Sequence, residues 1–404
     1  MSVGAAVVAR ARRAGASGLA VFFGLVVVAA DGGGQARGAE GPAVDSFARE
    51  LEAAVASLDA RRGRPEAVAP LAKLAWLDEN VPTGATDAAL RRAAGPGSHP
   101  LVAAQATMLL AHQLEERGDD AGARALRAPL HALTKLWVVG PFGEGRGGFS
   151  QEFPPETDPE LPSRAHSYKG KLGVVSWRAA EGAVREGALL VDALVRPDSQ
   201  TTAYVSAFVN SPREQVVAVR LGSPGPTKLW VGGSLVYARD VVRTPSFDQD
   251  AAAARLRKGW NRLLVKTVIT EGAWWLHLRV TDAAGHALDL GDGALPDGAV
   301  VVAPKGKAKP AGGVETLEGD LRRRAEAAPA GAGGAEAWLD LGRALAWNGS
   351  GDRDAREAAT AVETALGRQP SIAAYRLLSA VARDDDERRR AFEAALALTE
   401  APGE

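Results

Sequence analysis

The sequence predicts a multidomain α+β chain in which an antiparallel β-sandwich or jelly roll lies between two α-helical regions. Three observations carry this. The apolar period changes from 3.6 to 2 near Leu136 and returns to 3.6 at Val314. Between those points, nine or ten short Val- and Trp-rich runs follow one another with no helical segment between them. With 404 residues, 46% hydrophobic and 24% charged, the chain has enough apolar material for two or three cores.

The first segment, residues 1–30, reads as an export signal. Arg10, Arg12 and Arg13 precede the uncharged run Gly18 to Ala30, and Val28-Ala29-Ala30 offers the small residues a signal peptidase reads. That run is shorter than the roughly 20 residues a membrane-spanning helix needs. Cleavage is therefore expected, with an uncleaved N-terminal anchor as the alternative. The mature chain is placed in the periplasm or outside the cell, and residues 31–42 read as a linker.

Residues 43–134 read as helical hairpins. Phe47, Leu51, Val55 and Leu58 recur at helical spacing, Arg61 to Pro65 breaks the run, and Val68, Leu71, Ala75 and Leu77 resume it. A second breaker at Gly95 to Pro100 precedes a helix over 101–117, and Gly118-Asp119-Asp120 turns the chain into another.

Residues 135–290 carry the strands. Gly232-Gly233 separates KLWV from SLVY by two residues able to take positive φ, as a tight hairpin demands. Lys258 to Asn261 forms a second turn. Residues 291–313, rich in Gly, Pro and Ala with Lys305, Lys307 and Lys309, read as a solvated linker. Helical periodicity then fills 314–404.

Two resemblances accompany these patterns. Trp338, Leu341, Gly342 and Leu345, followed by Ala358, Val362, Ala365, Leu366 and Pro370, resemble the tetratricopeptide repeat, with Leu for Tyr and Val for Phe; Tyr375, Leu378, Phe392, Ala395 and Leu396 resemble a shortened second copy. In the middle, LWVVGPF from residue 136, Tyr168-Lys169-Gly170-Lys171, the Trp177-Arg178 pair, KLWVGG and KGWNRLLVK resemble galactose-binding-like jelly rolls of exported bacterial proteins and of beta-galactosidase-type hydrolases. Such domains often sit between helical repeats in secreted proteins that carry a transglutaminase-like catalytic domain. The resemblance implies a non-catalytic exported binding or scaffold protein making protein or glycan contacts. The alternative it leaves is the non-catalytic N-terminal portion of a larger secreted hydrolase or transglutaminase-like enzyme.

Composition excludes much chemistry. The absence of cysteine removes disulfides, thiolate metal sites and a cysteine nucleophile. A net charge of -1 argues against nucleic acid or an anionic membrane as a partner. Gly143, Gly145 and Gly148 satisfy G-x-G-x-x-G, but Phe153-Pro154-Pro155 follows where a dinucleotide site needs a helix, so the stretch reads as a flexible loop. Glu152, Glu156, Asp158 and Glu160 lack the regularity of a calcium loop and read as a solvated acidic loop. No catalytic residue, cofactor or metal is expected.

One constellation remains. Neighbours in a strand face opposite sides, so Trp274, Leu276, Leu278 and Val280 form one set and Trp275, His277, Arg279 and Thr281 the other. If Leu263, Val265 and Ile269 face inward on the preceding strand, Lys266 joins the second set. Trp275, His277, Arg279 and Lys266 are thus the candidate binding residues, an exposed aromatic bordered by cations. Docking of a neighbouring helical region is the favoured use, and stacking on a sugar the alternative.

Overall fold

The computed structural model describes residues 42–158, 161–301, 313–348 and 352–400. Residues 1–30, read above as an export signal, residues 31–41, and most of the stretch read as a later linker lie outside the described residues. The chain divides into two compact units, one built from residues 114–316 and the other from helices at both ends of the chain.

The helical unit begins with α1 (Pro42–Ala60), α2 (Val68–Leu77), α3 (Asp87–Ala94) and α4 (Pro100–Glu116), whose last turn passes into the other unit, where α5 (Asp120–Arg127) also lies. It is completed by α6 (Leu317–Ala327), α7 (Ala332–Asn348), α8 (Asp352–Arg368), α9 (Ile372–Ala380) and α10 (Asp385–Glu400). The two helical regions expected from the sequence are therefore one unit, discontinuous in sequence. Arg61, just past α1, donates to Asp340 of α7 at 2.6 Å and pairs with Glu336. Arg324 reaches Glu66 at 3.1 Å, and Arg376 reaches Glu50 at 3.4 Å. Periodicity could not reveal this, because it reports a helix's apolar face and not the partner that face meets.

The β unit holds thirteen strands among the described residues: β1 (Trp137–Phe142), β2 (Ser167–Lys169), β3 (Val174–Ser176), β4 (Arg178–Ala179), β5 (Val184–Arg185), β6 (Ala188–Leu190), β7 (Thr201–Ser211), β8 (Gln215–Gly222), β9 (Thr227–Val231), β10 (Ser234–Arg239), β11 (Asp250–Leu256), β12 (Gly259–Ile269) and β13 (Trp275–Thr281). They form an antiparallel six-stranded sheet β10-β9-β12-β7-β1-β4, an antiparallel five-stranded sheet β11-β8-β13-β6-β5, and the separate hairpin β2-β3. Val205, Leu229, Leu263 and Val265 of the first sheet share one buried core with Val219, Leu221, Leu276 and Leu278 of the second. Alternation decides which side chains enter it.

Local chemistry explains the turns. Gly232 (φ 54°) and Gly233 (φ 78°) both take positive φ between β9 and β10, which pair from Val231 to Ser234. Asn261 closes the other turn, accepting from the Arg257 N–H at 3.0 Å and donating to the Gly259 carbonyl at 2.8 Å. The glycine-rich stretch is not a loose loop: Gly145–Phe149 forms a 3₁₀ helix. A Cβ on Gly148 would lie 2.1 Å from Thr202 Oγ1, so that residue is needed for close approach.

The unit also extends beyond the expected 135–290. The Leu133 N–H donates to Leu278 O at 2.8 Å, those of Thr134 and Lys135 to Asp292 O, and that of Phe208 to Gly293 O at 3.0 Å. Residues 291–301 are thus tied to the sheets by main-chain bonds instead of spanning open solvent.

Candidate functional site

The four residues expected to form an exposed face are buried, none more than 7% exposed, and they lie on two different sheets. The alternation along β13 holds: Trp274, Leu276, Leu278 and Val280 enter the shared core. Trp275, His277 and Arg279 point the other way, but Phe247 and Asp248 cover His277 and Arg279. Arg279 makes a two-pronged ion pair with Asp248, its Nε donating at 2.8 Å, and its guanidinium lies 5.0 Å from the centre of the Phe247 ring. His277 packs edge-on against Phe247 and Trp275, and its Nδ1 lies 3.3 Å from the Gly187 carbonyl oxygen. Burial pushes the imidazole down to about 4, with the Gly187 carbonyl opposing the shift.

Lys266 is absent from this face because β12 and β13 are not a hairpin. The chain crosses from one sheet to the other between them, so Lys266 points out of the six-stranded sheet. There its ammonium donates to Gln151 O at 2.5 Å and Glu156 Oε1 at 2.7 Å, within reach of the Phe153 and Tyr204 rings. Burial lowers the lysine's affinity for its proton and Glu156 opposes that. The acidic loop is therefore not simply solvated, since Glu156, half-buried, anchors it to the buried Lys266.

An accessible site lies instead beside the β2-β3 hairpin. Tyr168 seats the hairpin on the sheet: its ring is buried beside Phe142, and its hydroxyl accepts from Trp177 Nε1 at 3.2 Å. Lys171 pins the turn, reaching Glu144 and the Gln200 carbonyl, each at 2.8 Å. Its main-chain N–H donates to Pro141 O at 2.8 Å. Between the hairpin and the 194–196 loop runs an open cleft of about 410 Å³.

Its walls are aliphatic and its flanks cationic. Leu172 and Val174 are 75% and 79% exposed. Arg178, on β4, donates to the Gly140 carbonyl at 3.2 Å, and no carboxylate among the described residues lies within ion-pair distance of it. Arg196 lies 3.0 Å from Asp198 and donates to the Val195 carbonyl at 3.1 Å. The cleft can receive an anionic group while covering apolar surface. Sequence reasoning passed over it because Arg178 and Arg196 lie on different loops with no shared motif; the only local signal was the aliphatic run Leu172 to Val175 following a Gly-bearing turn.

No protein-family profile matches the chain, and no curated protein does. Among solved structures it is similar to a family 35 carbohydrate binding module from Clostridium thermocellum (20% identity, 19% of this chain and 69% of that one, TM-score 0.15). It is similar also to an anti-sigma factor domain-containing protein from Clostridium clariflavum (9% identity, 43% of this chain and 50% of that one, TM-score 0.24). A beta-glucosidase from Kluyveromyces marxianus gives 10% identity over 58% of this chain and 23% of that one, with a TM-score of 0.24.

Proposed function

We propose that the chain is a non-catalytic exported binding protein, and that the cleft between the β2-β3 hairpin and Arg196 holds its protein or glycan ligand. The observation carrying this is the cleft itself, about 410 Å³, open to solvent, with exposed aliphatic side chains beside an arginine that has no carboxylate partner among the described residues. Apolar surface and cationic charge held together in a concavity are maintained against their tendency to be covered or neutralised, which binding explains.

On this reading the β unit is a jelly-roll sandwich of galactose-binding-like kind, supported by the single core shared between two antiparallel sheets. The helices are tetratricopeptide-like. The missing Cβ of Gly342 supports this, since one there would lie 2.7 Å from Val362 of the following helix, the close helix contact that the repeat's glycine permits. The first thirty residues serve as the export signal. The test is retention of the full chain on a combined panel of printed oligosaccharides and displayed peptides, compared with Arg178→Glu. The reading expects at least one ligand class to be retained and lost on charge reversal. Equal retention by both proteins places the binding site elsewhere.

A further inference from the structure

The main chain of the cleft distinguishes between ligand classes. β3, with Gly173 just before it, lines the cleft through Val174, Val175 and Ser176, and β2 is its hydrogen-bonded neighbour on one edge. The register is Lys169 opposite Val174 and Ser167 opposite Ser176, and the Gly170 N–H donates to Gly173 O at 2.7 Å. In an antiparallel ladder that bond makes Tyr168 and Val175 the bonded pair, so Val174 and Ser176 turn their N–H and C=O groups away from β2. Among the described residues, no second strand is hydrogen-bonded to them. A strand edge with open donors and acceptors is a template for an added strand.

Resting on the cleft as the binding site, we infer that its occupant is an extended acidic peptide, added in β fashion along β3. Val174 and Ser176 supply the main-chain bonds. Leu172 and Val174 supply apolar contacts to alternate side chains of the peptide, and Arg178 and Arg196 meet its carboxylates. A sugar fits this cleft less well. Sugar rings are gripped by stacking on aromatic faces, and the residues lining the cleft include no aromatic side chain.

The experiment selects a phage-displayed random dodecapeptide library on the immobilised full chain. In parallel, a printed array of neutral and acidic oligosaccharides and sedimentation with phosphatidylglycerol vesicles are run. The inference expects enriched peptides carrying Asp or Glu near aliphatic residues, with affinity falling at least tenfold for Arg178→Glu and at least fivefold for Val174→Pro, which removes an outward N–H. Both variants should melt as the parent does; if either does not, Arg178→Gln should still lose affinity, and N-methylation of alternate residues of an enriched peptide should weaken its binding to the parent chain at least fivefold. Arginine-dependent retention of oligosaccharides or vesicles without peptides overturns the peptide inference and leaves the cleft as a binding site. Absence of any retained ligand, or retention indifferent to Arg178, overturns both.

Discussion

Lys266 Nζ and Glu156 Oε1 lie 2.7 Å apart on the outer side of the six-stranded sheet, and the Tyr204 hydroxyl donates to the same carboxylate oxygen at 2.5 Å. This triad fastens the 143–158 segment over the aromatic cluster of Phe142, Phe153, Tyr168 and Trp177. Burial and the adjacent carboxylate both push the Tyr204 phenol far up, so it keeps its proton and can donate to Glu156. Removing one partner strands the other charge. Lys266→Met is expected to cost about 3 to 5 kcal/mol, and the double variant Lys266→Met/Glu156→Leu to recover most of that loss, because no charge remains unpaired. Urea unfolding of the three proteins measures it; equal losses in the single and double variants would show that packing, and not charge, dominates.

His277 makes stability depend on acid. Its folded value of about 4 lies below the ordinary 6.5, so between these limits the unfolded chain binds the extra proton. The contribution is fully present above about pH 6.5 and is lost as pH falls toward 4, amounting to about 3 kcal/mol across that window. Carboxylates titrate there too, so the informative quantity is the difference between parent and His277→Phe. The parent should lose about 3 kcal/mol more than the variant between pH 7 and pH 4. Parallel curves would mean that the imidazole reaches water.

These two residues also show where sequence reading reaches its limit. The alternation that sets Trp274 and Leu276 against Trp275 and His277 is local, fixed by strand geometry, and the structure has it. Which sheet a strand joins is not local, and the β12-to-β13 crossover sent Lys266 to a different surface. What covers the outer face is less local still, since Phe247 and Asp248 come from an irregular segment about thirty residues away. β11 is hard to read from the sequence for a different reason. Its sequence DAAAARL has little β propensity, yet it pairs with β8 over seven residues because Ala252, Ala254 and Leu256 fill the shared core.

The β9-β10 hairpin depends on a steric requirement that was legible in advance. With φ of 54° and 78°, Gly232 and Gly233 sit where a β-branched residue is strained by about 1 to 3 kcal/mol each. Nothing lies within 4 Å of a Cβ built at Gly232, so the penalty there is conformational and not a clash. Gly232→Asn should be tolerated, whereas Gly232→Val/Gly233→Val should lower the thermal midpoint by several degrees. Similar melting of the Asn and Val variants would refute the turn's role.

Asp340 tests whether the two ends of the chain fold as one unit. It is buried on α7, and its carboxylate accepts from Arg61 at 2.6 Å and from Arg343 at 3.1 Å. Burial raises its pKa while the two arginines oppose the shift, so the carboxylate depends on them for compensation. Asp340→Asn keeps the shape and removes the charge, leaving Arg61, half-buried, with Glu336 alone. The expected cost is about 2 to 3 kcal/mol. Its location matters more than its size. If α1 to α3 and α6 to α10 share one cooperative unit, limited proteolysis of Asp340→Asn under mild urea should open residues 42–113 and 317–400 together, while the 137–281 strands persist. Digestion of the C-terminal helices with the N-terminal helices still protected would show that the contacts joining Arg61, Glu66 and Glu50 to the C-terminal helices are surface pairings between parts that fold separately.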